Sequence, residues 1–299
     1  MRAIATLTMI GCCVLMRAPV LAETQQSFAT PEAAAKALVA AVRSGDADHI
    51  SRVLGPDSEK IVASGDPVDD AAARKRFTTA AAQRTRIERS VDGDTALLHV
   101  GKDDWPFPIP IVKEGEGWGF DTAAGAQELV NRRVGRNELT VISIARAYVD
   151  AQLEYFARFH EYAQSLRSSP GKHDGLYWEA TGDDEESPFG PLVALASTEG
   201  YQVREANEPP APYHGYFFRI LAAQGKAAPG GARTYVRNGK MTDGFALIAW
   251  PAEHGSSGVM TFMVGEQGVV FQKDLGDGTS EAAKAITAYD PDGSWEPTR

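Results

Sequence analysis

Cysteine is nearly absent from this chain: of 299 residues only Cys12 and Cys13 carry thiols, and both lie in one short N-terminal stretch. Without that stretch the remainder has no disulfide, no thiol nucleophile and no cysteine-ligated metal, so its stability must come from packing. Positive charge is also short, with 30 lysines and arginines against 40 aspartates and glutamates and a net charge of −10. A field of that sign repels phosphate and argues against nucleic acid or an anionic membrane as the main partner. Beyond the N-terminal stretch no apolar run approaches the ~20 residues that span a bilayer. Motifs are missing as well. There is no H-E-x-x-H pair and no Gly-x-Ser-x-Gly elbow, which removes the usual zinc-hydrolase and serine-hydrolase signatures. What is present, 43 % hydrophobic and 23 % charged residues, is the composition of a folded globular protein.

The N-terminus reads as an export signal over residues 1–22. Arg2 supplies the positive start, Ile4–Met16 the apolar run, and Val20-Leu21-Ala22 the small residues of a cleavage site. Arg17 and Pro19 interrupt the run, so a transmembrane anchor is disfavoured. The expected mature chain starts near Glu23 and is periplasmic or secreted, with lipoprotein anchoring at Cys12 a minor alternative. The rest exceeds what most single cores use and predicts two domains. These are an N-terminal α+β domain over 23–121, a connecting segment over 122–136 and a C-terminal domain over 137–299.

Punctuation predicts the first helices. Thr30 and Pro31 open one that Gly45 closes, with Ala34, Leu38, Ala41 and Val42 on one face; Asp46 opens a second that Gly55-Pro56 ends. A third is expected over about 69–85. The period then changes, and strands are predicted at Ile87–Val91, Thr95–Val100, Pro108–Val112 and Gly117–Asp121. Pro106, Pro108 and Pro110 alternate, which suits an extended edge segment rather than a central strand. Helices followed by a curved antiparallel sheet resemble the nuclear-transport-factor-2-like α+β domains. Residues 122–136 continue as helix or capped turn, and the longest helical pattern runs from about Asn137 to Ser168. It carries two apolar stripes, one through Ile142, Ala145, Val149, Leu153, Phe156, Phe159, Ala163 and Leu166, the other through Ile144, Tyr148, Ala151, Tyr155 and Tyr162.

A short helix is expected at Pro191–Glu199, then a meander of strands at Tyr216–Ala222, Phe245–Trp250, Val259–Val264 and Val269–Lys273, and a helix near 280–288. One long helix packed on an antiparallel meander resembles the soluble part of type IV pilins and pseudopilins. The pilin N-terminal hydrophobic helix and Gly-Phe cleavage site are absent, which speaks against fibre assembly. The fold class expected is therefore α+β, with N-terminal helices and a curved sheet followed by a pilin-like helix-on-meander. A closer likeness lies in Gly117-Trp118-Gly119-Phe120-Asp121, Asn131-Arg132-Arg133-Val134-Gly135-Arg136, Pro170-Gly171-Lys172-His173-Asp174-Gly175-Leu176-Tyr177-Trp178, Pro212-Tyr213-His214-Gly215-Tyr216 and Gly244 through Gly276. On these words the chain resembles an uncharacterised bacterial exported family, domain of unknown function 2950. The resemblance implies an exported protein of Gram-negative type and carries no activity with it.

Candidate chemistry is sparse. His173, His214 and His254 sit in predicted loops, where a base or metal role requires tertiary convergence with carboxylates such as Asp174 or Glu253. Asp103-Asp104 and Asp183 to Glu186 are acidic but lack EF-hand spacing, and Gly225 to Gly231 lacks the Gly-Lys-Ser/Thr ending of a phosphate loop. No catalytic residue, metal site or cofactor is assigned. The binding candidates are Trp178, Tyr213 and His214, as an exposed aromatic surface for an envelope protein or a glycan, and Arg132, Arg133 and Arg136, crowded where the domains meet. Those arginines either lock the domains through Glu138, Glu128 or Asp121 or hold an anion. The sequence thus points to a non-catalytic binding or envelope-assembly protein. The competing reading is a hydrolase or metal-dependent enzyme with a closed pocket in which His173 or His214 meets carboxylates such as Asp174 or Glu253, and its mark is any histidine within hydrogen-bond reach of two carboxylates.

Overall fold

Caps legible in the sequence start the first helices. The computed structural model describes residues 25–180, 185–203 and 208–298, so the expected signal and Cys12 lie outside the described residues. Helix α1, Pro31–Ser44, opens where the Thr30 hydroxyl accepts the Ala33 N–H and closes at Gly45 with φ 73°. Helix α2, Ala47–Leu54, is capped by Asp46, which accepts the N–H groups of Asp48 and His49. A one-turn helix α3, Glu59–Val62, follows, and then α4, Pro67–Gln83. Helix α4 starts two residues before the expected position because Asp66 caps it and Pro67 fills its first turn.

The first sheet comprises β1 (Thr85–Arg89), β2 (Thr95–Val100), β3 (Trp105–Pro106), β4 (Ile111–Glu114) and β5 (Gly117–Phe120), in the order β1-β2-β4-β5 with β3 also on β2. Strand β4 begins at Ile111 rather than the expected Pro108, since Pro108 and Pro110 have no N–H to give a ladder. Strand β1 ends at Arg89, short of the expected Val91, which is fully exposed at the following turn. Leu38, Val53 and Leu54 of the helices pack on Leu98, Ile109, Ile111 and Phe120 to make one core.

The chain then runs into a single helix, α5, Thr122–Phe159, whose 38 residues extend for about 57 Å. Residues 122–136 are its first four turns. It stops at Phe159, not near Ser168, for a physical reason absent from the helical pattern: buried Gln152 donates to the Ala163 carbonyl and accepts the Ala163 N–H, both at 2.8 Å. That amide pairing holds the returning chain against the helix, and His160 takes the left-handed conformation, φ 56°, at the stop. Ala163 and Leu166 therefore lie beyond the helix. Of the two stripes, the one through Ile144, Tyr148, Ala151 and Tyr155 is buried along the helix, while the other is buried at Ala145 and Val149 and open to solvent at Leu153 and Phe159.

Helix α6, Gly190–Glu199, precedes the second sheet. Strand β6 (Tyr216–Leu221) is followed by two short ribbons, β7 (Ala223–Gln224) with β8 (Arg233–Thr234) and β9 (Val236–Arg237) with β10 (Lys240–Met241). The meander resumes with β11 (Ala246–Pro251), β12 (Met260–Gly265) and β13 (Val270–Asp274), then α7 (Thr279–Ala285) and β14 (Glu296–Pro297). The sheet order is β14-β13-β12-β11-β6, all antiparallel. Every residue of β11 is buried, because α5 covers one face of the sheet and α7 the other. On the α5 face Tyr148 sits edge-on to Phe245, at 5.7 Å, and donates its hydroxyl to the Ala246 carbonyl. On the α7 face the guanidinium of Arg219 lies over Trp250 and donates to the carbonyls of Ala283 and Ile286. The fold is α+β, with a helical N-terminal region and a C-terminal antiparallel sheet.

Two glycines of α5 separate packing from propensity. A Cβ on Gly125 would fall 2.4 Å from the Pro108 carbonyl oxygen and 2.5 Å from the Ile109 Cα, whereas one on Gly135 meets nothing within 4 Å. Gly125→Ala is expected to destabilise by ~1–3 kcal/mol, and Gly135→Ala to stabilise by ~0.5–1 kcal/mol. Urea unfolding of both variants checks the opposite signs.

Candidate functional site

The first half of α5 brings three arginines against the N-terminal helices. Arg133 is the buried one, 9 % exposed. Its Nε donates to the Ser256 carbonyl and its Nη2 to the Ser256 hydroxyl, both at 3.0 Å; Nη2 also donates to the Lys60 carbonyl, and Nη1 stands 4.0 Å from Asp70. One guanidinium thus ties α5 to α3 and to the loop between β11 and β12. Arg136 donates to Asp69 at 3.2 Å, and Asp69 also faces Arg76 at 3.5 Å. Arg132 pairs with Glu128 one turn back, at 2.6 Å, and lies over the Trp105 ring. Of the expected partners only Glu128 is used. Asp121 instead caps α5 by accepting the Ala124 N–H, and Glu138 accepts the N–H groups of Val259 and Met260 at 2.9 and 3.0 Å.

Burial governs the Arg133–Asp70 pair. It pushes the Asp70 carboxyl above the ordinary carboxylate range, against hydrogen bonds from Ser64 and the charge of Arg133, and it lowers the Arg133 guanidinium. Each group is driven toward its neutral form, so at 4.0 Å desolvation outweighs attraction. What holds Arg133 is its set of carbonyl acceptors.

Asp66 is a second anchor. While one oxygen caps α4, the other accepts the Tyr201 hydroxyl and the Gly215 N–H, both at 2.8 Å. Tyr213 and Tyr216 are joined by a two-residue turn in which His214 (φ 49°) and Gly215 (φ 75°) both have positive φ, as a type I′ turn requires. A Cβ on Gly215 would strike Asn137 and Ser257 at 2.8 Å. Tyr213 packs against Tyr201 and His214, and burial raises its hydroxyl to about 12. The His214 Nε2 meets one carboxylate, Glu199, at 3.0 Å.

Above this junction lies a cavity of about 420 Å³, within the range of small-molecule sites. Helix α4 packs chiefly on α1 and β2, and the space left between α4 and α5 is floored by Leu38, Val42, Ile50, Leu54 and Ile61 and walled by Phe77, Phe107 and Leu129. Val42, expected in the core face of α1, lines it. Five arginines ring it: Arg74 and Arg76 from α4, and Arg132, Arg133 and Arg136 from α5. Arg76, Arg132 and Arg136 have half-exposed side chains and mark the mouth.

The other candidates lie apart. Trp178 is 6 % exposed, so the expected aromatic surface around it is corrected: its ring stacks on His173 at 4.3 Å and its Nε1 donates to the Glu185 carbonyl. Among the described residues neither His173 nor His214 meets two carboxylates. His254 does, with Asp274 at 2.8 Å and Asp277 at 3.4 Å, but Asp277 is fully exposed; His99 lies between Glu88 and Asp104. None of these histidines lines the cavity. Among the described residues no group of three histidine, cysteine or acidic side chains is arranged to hold a metal. Asp183 and Asp184 lie outside the described residues. The 225–231 loop is tied by Gln224, which donates to the Pro229 and Gly231 carbonyls.

Sequence reasoning missed Asp66, Asp69, Asp70, Arg74 and Tyr201. Asp66-Pro67 carried a helix-start signal, but nothing local announces the second oxygen's tertiary partners. With the geometry in hand, the model of the family described as protein of unknown function (DUF2950) matches residues 25–298, and the chain belongs to that family. No curated protein and no solved structure matches.

Removing Arg133 takes a cation from buried Asp70 and the donor from the Ser256 carbonyl, and Arg133→Met is expected to cost ~3–5 kcal/mol at neutral pH. The Asp70 carboxyl titrates higher folded than unfolded, so its contribution is favourable when protonated and is lost as pH rises through the folded value. The deficit of Arg133→Met should accordingly shrink toward about pH 4, and Asp70→Asn in the same chain should recover part of it at neutral pH. Urea unfolding at the two pH values measures both.

Proposed function

We propose that this protein is exported and acts by binding rather than by catalysis, with its ligand held in the cavity between α4 and α5. The observation that carries the reading is the combination of an apolar floor with a ring of arginines around about 420 Å³ of space. A void of that size among Leu, Ile, Val and Phe side chains forfeits dispersion contacts that a packed core would keep. Filling it with an apolar group restores them. The separation of the histidine–carboxylate pairs, His254 among them, from the cavity favours binding over the hydrolase alternative, which needs a loop histidine and its carboxylates in a closed pocket. In this reading the units 23–121 and 137–299, joined by 122–136, divide the labour. The first, together with the opening turns of α5 in the joining segment, holds the ligand, and the second, a pilin-like helix on a meander, presents it to an envelope partner, protein or glycan; the two separate cores support that division.

Export rests on the N-terminal composition, and among the described residues no helix is long and apolar enough to cross a membrane. Mass spectrometry of the protein recovered from the periplasm or medium of an expressing Gram-negative cell should find a chain beginning near Glu23; recovery only from cytoplasm with Met1 intact would remove this part of the reading. Binding is tested with the neutral dye N-phenyl-1-naphthylamine, whose emission rises in apolar surroundings. Saturable binding of one dye per chain is expected, and Leu129→Trp, which fills the cavity, should weaken it at least tenfold while thermal unfolding stays cooperative. Undiminished binding in Leu129→Trp would show that the dye sits elsewhere and overturn the cavity as the site.

A further inference from the structure

The charges around the cavity single out one of its five arginines. Arg136 and Arg76 share Asp69, Arg133 faces Asp70 and spends its other donors on carbonyls, and Arg132 is paired with Glu128. The guanidinium of Arg74, half-buried on α4, makes no hydrogen bond or ion pair among the described residues. Its charge acts on Asp70, one turn back on α4 and lining the same cavity, the carboxyl that burial pushes upward. An arginine cannot shed its proton to escape a partly apolar setting, so a half-desolvated guanidinium with no acceptor awaits an anion. It also stands beside the apolar wall, one helical turn before Phe77 and next to Ala73, both of which line the same space.

We infer, on the footing of the cavity reading above, that the ligand is a single-chain fatty acid, its hydrocarbon tail among Leu38, Ile50 and Phe77 and its carboxylate on Arg74. The tail accounts for the apolar floor. The head follows from the balance of charge: one uncommitted guanidinium forms a two-pronged pair with one carboxylate, while a phosphate dianion calls for more than a single free cation. A cationic amphiphile is repelled by the same ring. The half-exposed Arg76, Arg132 and Arg136 at the mouth add long-range attraction for an anion without needing to touch it.

The test compares twelve-carbon amphiphiles that differ only at the head, each below its micelle concentration, by titration calorimetry on the purified protein. Dodecanoate is expected to bind at least tenfold tighter than dodecanol, about 1.4 kcal/mol by the affinity scale, and dodecylammonium more weakly than either. Arg74→Gln should bring dodecanoate down to the affinity of dodecanol and leave dodecanol unchanged, which also certifies that the variant is folded; Arg74→Lys should keep part of the preference. Equal binding of dodecanoate and dodecanol, a preference that survives Arg74→Gln, or tighter binding of monododecyl phosphate than of dodecanoate would each overturn the carboxylate assignment while the cavity reading stands. Failure of dodecanol and dodecanoate alike to bind would overturn both.

Discussion

A single buried guanidinium, that of Arg133, joins α5 to two stretches of chain far from it and from each other in sequence. It reaches the α3–α4 region at Lys60 and Asp70 and the β11–β12 loop at Ser256. Its worth lies less in charge attraction, which the 4.0 Å separation keeps modest, than in satisfying carbonyl groups that would otherwise be buried without donors. Asn137 and Glu138 extend the seam along the next turn by engaging the backbone of Ser257, Val259 and Met260. Asp66 closes it from the other side through Tyr201 and Gly215. The junction is therefore built from side chains bonded to backbone, a pattern that fixes position more tightly than paired flexible charges.

That seam explains why the cavity survives. Helix α4 is held at its first turn by Asp66 and along its body by α1 and β2, and α5 is held by Arg133 and Asn137. With both walls pinned from behind, neither can slide inward to close the space between Phe77 and Leu129. A void whose walls are not free to collapse is where an apolar ligand gains most.

Much of the fold was legible locally because local signals decided it. Thr30-Pro31, Asp46 and Gly45 are caps whose chemistry needs no distant partner, and the meander strands followed the composition of their segments. The misreadings were tertiary. Helix α5 ends where Gln152 captures Ala163, and no Gly or Pro near Phe159 announces that stop. Trp178 looked like a surface aromatic because its loop is polar, yet it is packed on His173 and Phe159. The arginines of 132–136 stood out by crowding, but their partners Asp69 and Asp70 are sixty-odd residues away and read as helix-start acids. Arg74 is one of several charges on the α4 segment in the sequence; what distinguishes it is a guanidinium with no hydrogen-bond or ion-pair partner among the described residues, a tertiary property.

Helix α5 lends its first turns to one core and its later turns to the other without a proline or a break between. A rod shared in this way cannot act as a hinge. Force or heat that frays it anywhere along its length strips a wall from both cores together, so the molecule should come apart in one concerted event, and a protease that cuts within the rod would forfeit the whole structure rather than release half of it.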